Sequence, residues 1–182
     1  MDEAVDAVEV VAHLMALSAR TAPKARGTDA LVIRVLKDRS LLDLAGEMKR
    51  IGETRKIAFF VRDAGNLEES DACVLAGLRA GSTVGLDCGG CGYRTCAEML
   101  VAQEEFPGND LPFSGPNCSV RVTDLGIAIG SAAKTAGLHS VDNRIMYSAG
   151  VAALKLGMME DCTIAYAIPL KAAGKNIFFD RG

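Results

Sequence analysis

The stretch CGGCGYRTC, residues 88–96, sets Cys88, Cys91 and Cys96 in a C-x2-C-x4-C spacing, and a further cysteine stands at 118 in SGPNCSV. Two thiolates separated by two residues can face one metal centre, so a chain with this run has to fold around it. Gly89, Gly90 and Gly92 lie between the thiols, and glycine enters the φ > 0 region at little steric cost. The spacing predicts a metal nest in a tight loop, with Cys118 brought back to it from a remote position.

Six cysteines in 182 residues are too few for a disulfide scaffold, and three in nine positions are too clustered for ordinary core thiols. Cys73 in DACVLAGL and Cys162 in DCTIAYAI stand apart and read as small buried hydrophobes. Four thiolates suit either a [4Fe–4S] cluster or tetrahedral zinc. Zinc ribbons and fingers usually use two distant C-x2-C pairs. Here three candidate ligands share one loop and the fourth is remote, and glycine N–H groups can approach cluster sulfides. Iron and sulfur are favoured on this pattern; zinc and a redox-active dithiol remain open alternatives.

The length predicts a single domain over 1–182, with 81–119 as an inserted cluster-binding segment. Hydrophobic residues at 49% and charged residues at 24% argue against long disorder. A net charge of −3 gives no reason to expect nucleic acid or an anionic membrane as partner. No apolar run approaches the roughly 20 residues of a membrane helix. The opening MDEAVDAVEV is acidic where a signal peptide is basic, so a cytoplasmic protein is expected.

Along the chain, residues 2–19 read as a helix, with Val5, Val8, Ala12 and Met15 at helical spacing. A strand is expected at 29–36 and a helix at 40–52, capped by Ser40 and stopped by Gly52. KIAFFVRD (56–63) reads as a strand, 67–79 as a helix, and STVGL (82–86) as a short strand. A helix is expected at 94–105, followed by the irregular FPGNDLPFSGPN loop. Helices at 123–136 and 143–156, the latter capped by Asp142 or Asn143, precede a last strand, CTIAYAIPL. Helices and strands are interspersed without a clean repeat, which predicts α+β.

CGGCGYRTCAEM resembles the C-G-x-C-G-x-x-T/G-C segment of the B subunit of the Rnf electron-transport complex. It is also similar to the iron–sulfur subunit of the corrinoid protein partnered with CO dehydrogenase/acetyl-CoA synthase. In those families the segment, closed by a later cysteine, binds a [4Fe–4S] cluster, so the resemblance implies Cys88, Cys91, Cys96 and Cys118 as ligands. ARTAPKARGTD (19–29), FFVRDAGN (59–66), DLGIAIGSAAKTAG (124–137), VDNRIMYSAGVAALKLG (141–157) and IPLKAAGKNIFFDR (168–181) resemble a family of uncharacterised bacterial and archaeal proteins containing a ferredoxin domain. AHLMALSARTAPKARG with the following strand, and the late order of helix, helix and strand, resemble flavin-dependent nitroreductases. That implies a compact α+β scaffold, a nitroreductase-like mixed sheet flanked by helices. The early Arg-Arg-Ser-x-Arg segment that helps hold FMN phosphate there is missing here, so FMN is not expected.

Arg20, Lys24 and Arg26 form one small basic cluster, and Lys175 and Arg181 a second. Arg20, Lys24, Lys175 and Arg181 are candidate anion or flavin contacts, because arginine offers a bidentate fork; a solvated surface with ordinary ion pairs is the favoured reading. His13 in its apolar helix reads as a packed core histidine. No Walker loop, Rossmann glycine fingerprint or Ser-His-Asp order is present. The expected function is a [4Fe–4S] protein passing single electrons to a redox partner protein, with a homodimer allowed. The alternatives are a flavin- or small-substrate-dependent oxidoreductase with an auxiliary cluster, and a zinc-stabilised interaction module.

Overall fold

Seven of the eight residues of the strand Ala72–Arg79 are buried, and that strand organises the rest of the structure, a computed structural model describing residues 3–106 and 111–179. In chain order the elements are α1 (Glu3–Thr21), a short 3-10 turn (Ala25–Gly27), β1 (Leu31–Leu36), α2 (Arg39–Arg55), α3 (Ala58–Glu68) and β2 (Ala72–Arg79). They continue with α4 (Cys96–Glu104), α5 (Ser119–Leu138), β3 (Asp142–Asn143), α6 (Tyr147–Lys155) and β4 (Cys162–Lys171). The sheet order is β1-β2-β4-β3. Every pairing between these strands is antiparallel, with Leu31 opposite Leu78 and Ala72 opposite Leu170, where a mixed sheet was expected.

Side chains alternate across a strand, and β2 uses both faces. Val74, Ala76 and Leu78 join Val8, Met15, Leu125 and Ala132, so α1 and α5 cover one face. Cys73 and Leu75 join Leu44, Met48, Phe60 and Ala149, so α2, α3 and α6 cover the other. Gly150 permits the closest approach: a Cβ there would fall 1.9 Å from the Ala165 carbonyl oxygen of β4.

Two expected elements are exchanged. Residues 56–63 do not form a strand; Ala58–Glu68 is helical, and Phe60, Asp63, Ala64 and Leu67 make its buried face. The helix expected at 67–79 is instead largely β2. A strand buried on both faces loses polar alternation and resembles a buried helix segment. Residues 82–86 are irregular rather than a short strand. Asp142 and Asn143 form β3 instead of capping a helix, and α6 starts later than expected, at Tyr147. His13 is exposed, 3.8 Å from Glu9 one turn away, and is not a core residue.

Candidate metal centre

After β2 the chain leaves the sheet through Val84 and curls over residues 85–92, where Gly85, Asp87, Gly89 and Gly92 all have positive φ. Gly89 (φ 71°) and Gly92 (φ 90°) bracket Cys91, and the Gly92 N–H donates to the Gly89 carbonyl at 2.9 Å. The Asp87 carboxylate accepts the Cys96 N–H at 2.6 Å, pinning the two ends of the loop. Thr95 caps α4 by accepting the Glu98 N–H at 3.2 Å, and the Glu98 carboxylate accepts the Arg94 N–H at 3.1 Å. Cys96 therefore opens α4 at its first helical position.

Cys118 is the N-cap residue of α5 and is buried. Gln103 of α4 holds the segment before it, accepting the Gly81 N–H at 2.7 Å and donating to the Pro116 carbonyl at 2.7 Å. Asn117 accepts the Thr163 hydroxyl from β4 at 2.6 Å. Arg121, 3% exposed, fixes the other side. Its guanidinium donates to the carbonyls of Thr83 (3.1 and 3.2 Å), Ala25 (3.3 Å) and Thr28 (2.9 Å), and to the buried Asp124 carboxylate at 3.0 Å. Asp124 in turn accepts the Ala25 N–H at 2.9 Å.

These braces bring Cys88, Cys91, Cys96 and Cys118 to the wall of one small hollow. Val84, Met99 and Cys118 form an apolar cluster on its inner side, while residues 85–90 are exposed. The N-termini of α4 and α5 both open at it, and helix N-termini favour negative charge. Among the described residues, no group of three or more His, Cys, Asp or Glu side chains is drawn tightly enough for one metal ion. The remaining thiols lie elsewhere. Burial pushes Cys73 up to about 12 and Cys162 up to about 11, so both stay protonated near neutral pH.

Among the described residues, Arg20 and Lys24 lie at one end of the sheet and Lys175 at the other. Arg20 donates to Asp29 and to the Leu31 carbonyl (3.0 Å). The Lys24 ammonium closes the end of α1 on the carbonyls of Ala19 (3.0 Å), Arg20 (2.8 Å) and Ala22 (2.9 Å). Both sit where β1 begins. Lys175 follows the other end of the sheet, beside Asn176, which donates to Asp142 at 2.8 Å. Along β2 those ends are on the order of 20 Å apart. Arg181 lies outside the described residues.

Gln103, Arg121 and Asp124 are supports that the sequence reading missed. Arg121 and Asp124 were legible in principle: two opposite charges, three positions apart, on the helical face that also carries Leu125 and Ala128.

The arrangement of sheet and helices is that of the nitroreductases. A nitroreductase with bound FMN from Desulfitobacterium hafniense superposes with a TM-score of 0.56 at 13% identity, over 92% of this chain and 79% of that one. The FMN-dependent nitroreductase NfnB from Mycobacterium smegmatis, in complex with NADPH, gives 0.56 at 10% identity, over 91% and 78%. Nitroreductase A from Vibrio parahaemolyticus gives 0.55 at 10% identity over 92% of this chain, which spans only 60% of its length. By sequence, residues 114–181 match the family model described as "Uncharacterized protein containing a ferredoxin domain (DUF2148)". An uncharacterized protein of Archaeoglobus fulgidus is 40% identical over 176 residues, 97% of this chain and 92% of that protein. The chain belongs to this ferredoxin-domain family of uncharacterized proteins. The matched span includes Cys118 and stops short of Cys88, Cys91 and Cys96.

Proposed function

We propose that Cys88, Cys91, Cys96 and Cys118 hold a [4Fe–4S] cluster and that the protein carries single electrons. The observation carrying this reading is the convergence of four thiols on one hollow, three from a glycine-curled loop and one from a helix N-cap. The donor set is all sulfur, as an iron–sulfur cluster requires. The family's ferredoxin domain supports the same chemistry, as does the likeness of residues 88–96 to the Rnf B subunit and the corrinoid iron–sulfur subunit. When bound, such a cluster takes up and releases one electron at a time. The chain's own groups set the conditions. Val84 and Met99 exclude water from the inner side, the α4 and α5 N-termini favour the anionic thiolate set, and the exposed loop at Cys88 gives a redox partner protein its approach. Val10 and Leu17 on α1, with Ile127 and Leu138 on α5, turn apolar side chains outward and support a homodimer, which sedimentation would test.

Anaerobic purification with iron, sulfide and zinc analysis tests the reading. About four irons and four sulfides per chain are expected, with a dithionite-reducible EPR signal. Loading should survive in Cys162→Ser and fail in Cys88→Ser and Cys118→Ser. Stoichiometric zinc without sulfide would overturn it. A second reading, a flavin-dependent oxidoreductase, is favoured by the fold shared with an FMN-bound nitroreductase. Stoichiometric FMN released by acid would select it.

A further inference from the structure

A second concave feature lies away from the cysteines. A cavity of about 310 Å³ opens between the end of α2, the start of α3 and one face of α6. None of its lining residues borders the cysteine hollow. Arg50, Arg55 and Lys155 bring three cations to it, and no carboxylate is among the described residues that line it.

Its apolar wall is aromatic. Phe59 and Phe60 have ring centroids 5.0 Å apart, and Phe60 meets Tyr147 edge-on at 6.1 Å. The row continues through Phe113 (5.1 Å from Tyr147) to Tyr166 (5.8 Å from Phe113). Three Phe and two Tyr are thus joined by successive ring contacts, and Phe59, Phe60 and Tyr147 among them line the cavity. Phe59, at the first turn of α3, is 42% exposed. A large apolar ring left open to solvent beside guanidinium groups is what a flat ligand with a charged end would cover.

Polar groups are held in place. Glu47, its side chain only 11% exposed, grips Arg50 through Nε and Nη2 at 2.7 and 2.6 Å, leaving Nη1 outside the pair. Burial, with Tyr166 close by, raises Tyr147, so its phenol keeps its proton and can donate. Thr54 adds a hydroxyl. The volume falls at the lower end of small-molecule sites, which begin at about 300 Å³.

We propose that this cavity binds a flat aromatic molecule bearing one anionic group, the ring lying against Phe59, Phe60 and Tyr147 and the anion meeting Arg50. The anion is a carboxylate or a phosphate, and the experiment separates the two. Titration calorimetry of the full-length protein uses AMP and 4-hydroxybenzoate as probes, with inorganic phosphate and benzyl alcohol as half-ligands. At least one aromatic anion should bind with Kd below about 1 mM, and both half-ligands at least about tenfold more weakly. A preference for AMP assigns phosphate; a preference for 4-hydroxybenzoate assigns carboxylate. Arg50→Gln should weaken the preferred probe about tenfold, and Phe59→Ala should weaken it several-fold. Both side chains are well exposed, at 64% and 42%, so neither change threatens the fold. Tyr147→Phe provides a third, nearly isosteric variant. No binding by either anion, equal binding by benzyl alcohol, or binding indifferent to all three variants would overturn the proposal.

Discussion

Arg121 shows how much one side chain can decide. Its guanidinium satisfies carbonyls from two separate segments while pairing with Asp124 inside the protein. Replacing it by Met strands a buried carboxylate, and we expect a loss of about 3 kcal/mol in urea denaturation. The double change Arg121→Met with Asp124→Leu should recover part of that loss, because a buried ion pair can be replaced by apolar residues at little net cost. It should not restore iron retention, since the Thr83 carbonyl stays unanchored. Cys73 permits a second test at this scale. Its folded thiol is raised to about 12 from 9.0 by burial, so the unfolded chain sheds that proton first as pH rises. The stabilisation is complete below about pH 9 and fades between about 9 and 12. Cys73→Ala should therefore lose less unfolding free energy across that window than the parent. The cysteine pattern was readable from the sequence because its spacing is local. Gln103 was not, because its partners lie at Pro116 and Gly81, and of Arg121 only the local pairing with Asp124 was, since Thr83 and Ala25 are brought to it by the fold alone.

At the level of elements, the exchange of strand and helix between 56 and 79 has a physical origin. AFFVRDAGNLE carries β-branched and aromatic residues, yet Phe60, Asp63, Ala64 and Leu67 keep the spacing of one helical face. ACVLAGLR lacks polar alternation because helices pack on both sides of it, and its two alanines favour helix over strand on propensity alone. Helices α1, α2, α5 and the strands β1 and β4 were legible from their periodicity, but not the helix ends: α2 is entered from Asp38 and runs past Gly52 to Arg55, and α5 begins at Ser119. The α6–β4 contact leads to a sharp expectation. Gly150→Ala would press a methyl group into the Ala165 carbonyl and should cost about 3 kcal/mol in thermal or urea unfolding. Gly126→Ala, on the exposed side of α5 with nothing within 4 Å, should stabilise by about 0.5–1 kcal/mol. Equal effects at the two sites would contradict the packing described for α6.

Across the whole molecule, three separate apolar clusters divide the labour. Two fill the faces of the sheet, and the third, around Val84, Met99 and Cys118, belongs to the thiol hollow. If the proposed cluster is bound, removing its iron with a chelator should speed amide exchange between residues 82 and 104 while leaving β2, β4 and α6 as protected as before. Collapse of protection throughout the sheet would mean that the clusters are not independent. No helix among the described residues is long and apolar enough to cross a membrane. The N-cap position of Cys118 bears on biosynthesis. A ribosome delivers the three loop thiols well before α5 exists, and α5 settles only against an α1 made much earlier. A nascent chain halted at residue 115 would offer an open three-thiol claw, able to accept iron but not to enclose it. If Cys118 closes the proposed cluster, the last thiol would arrive only with completed folding, and metal delivery to this chain would be gated by translation itself.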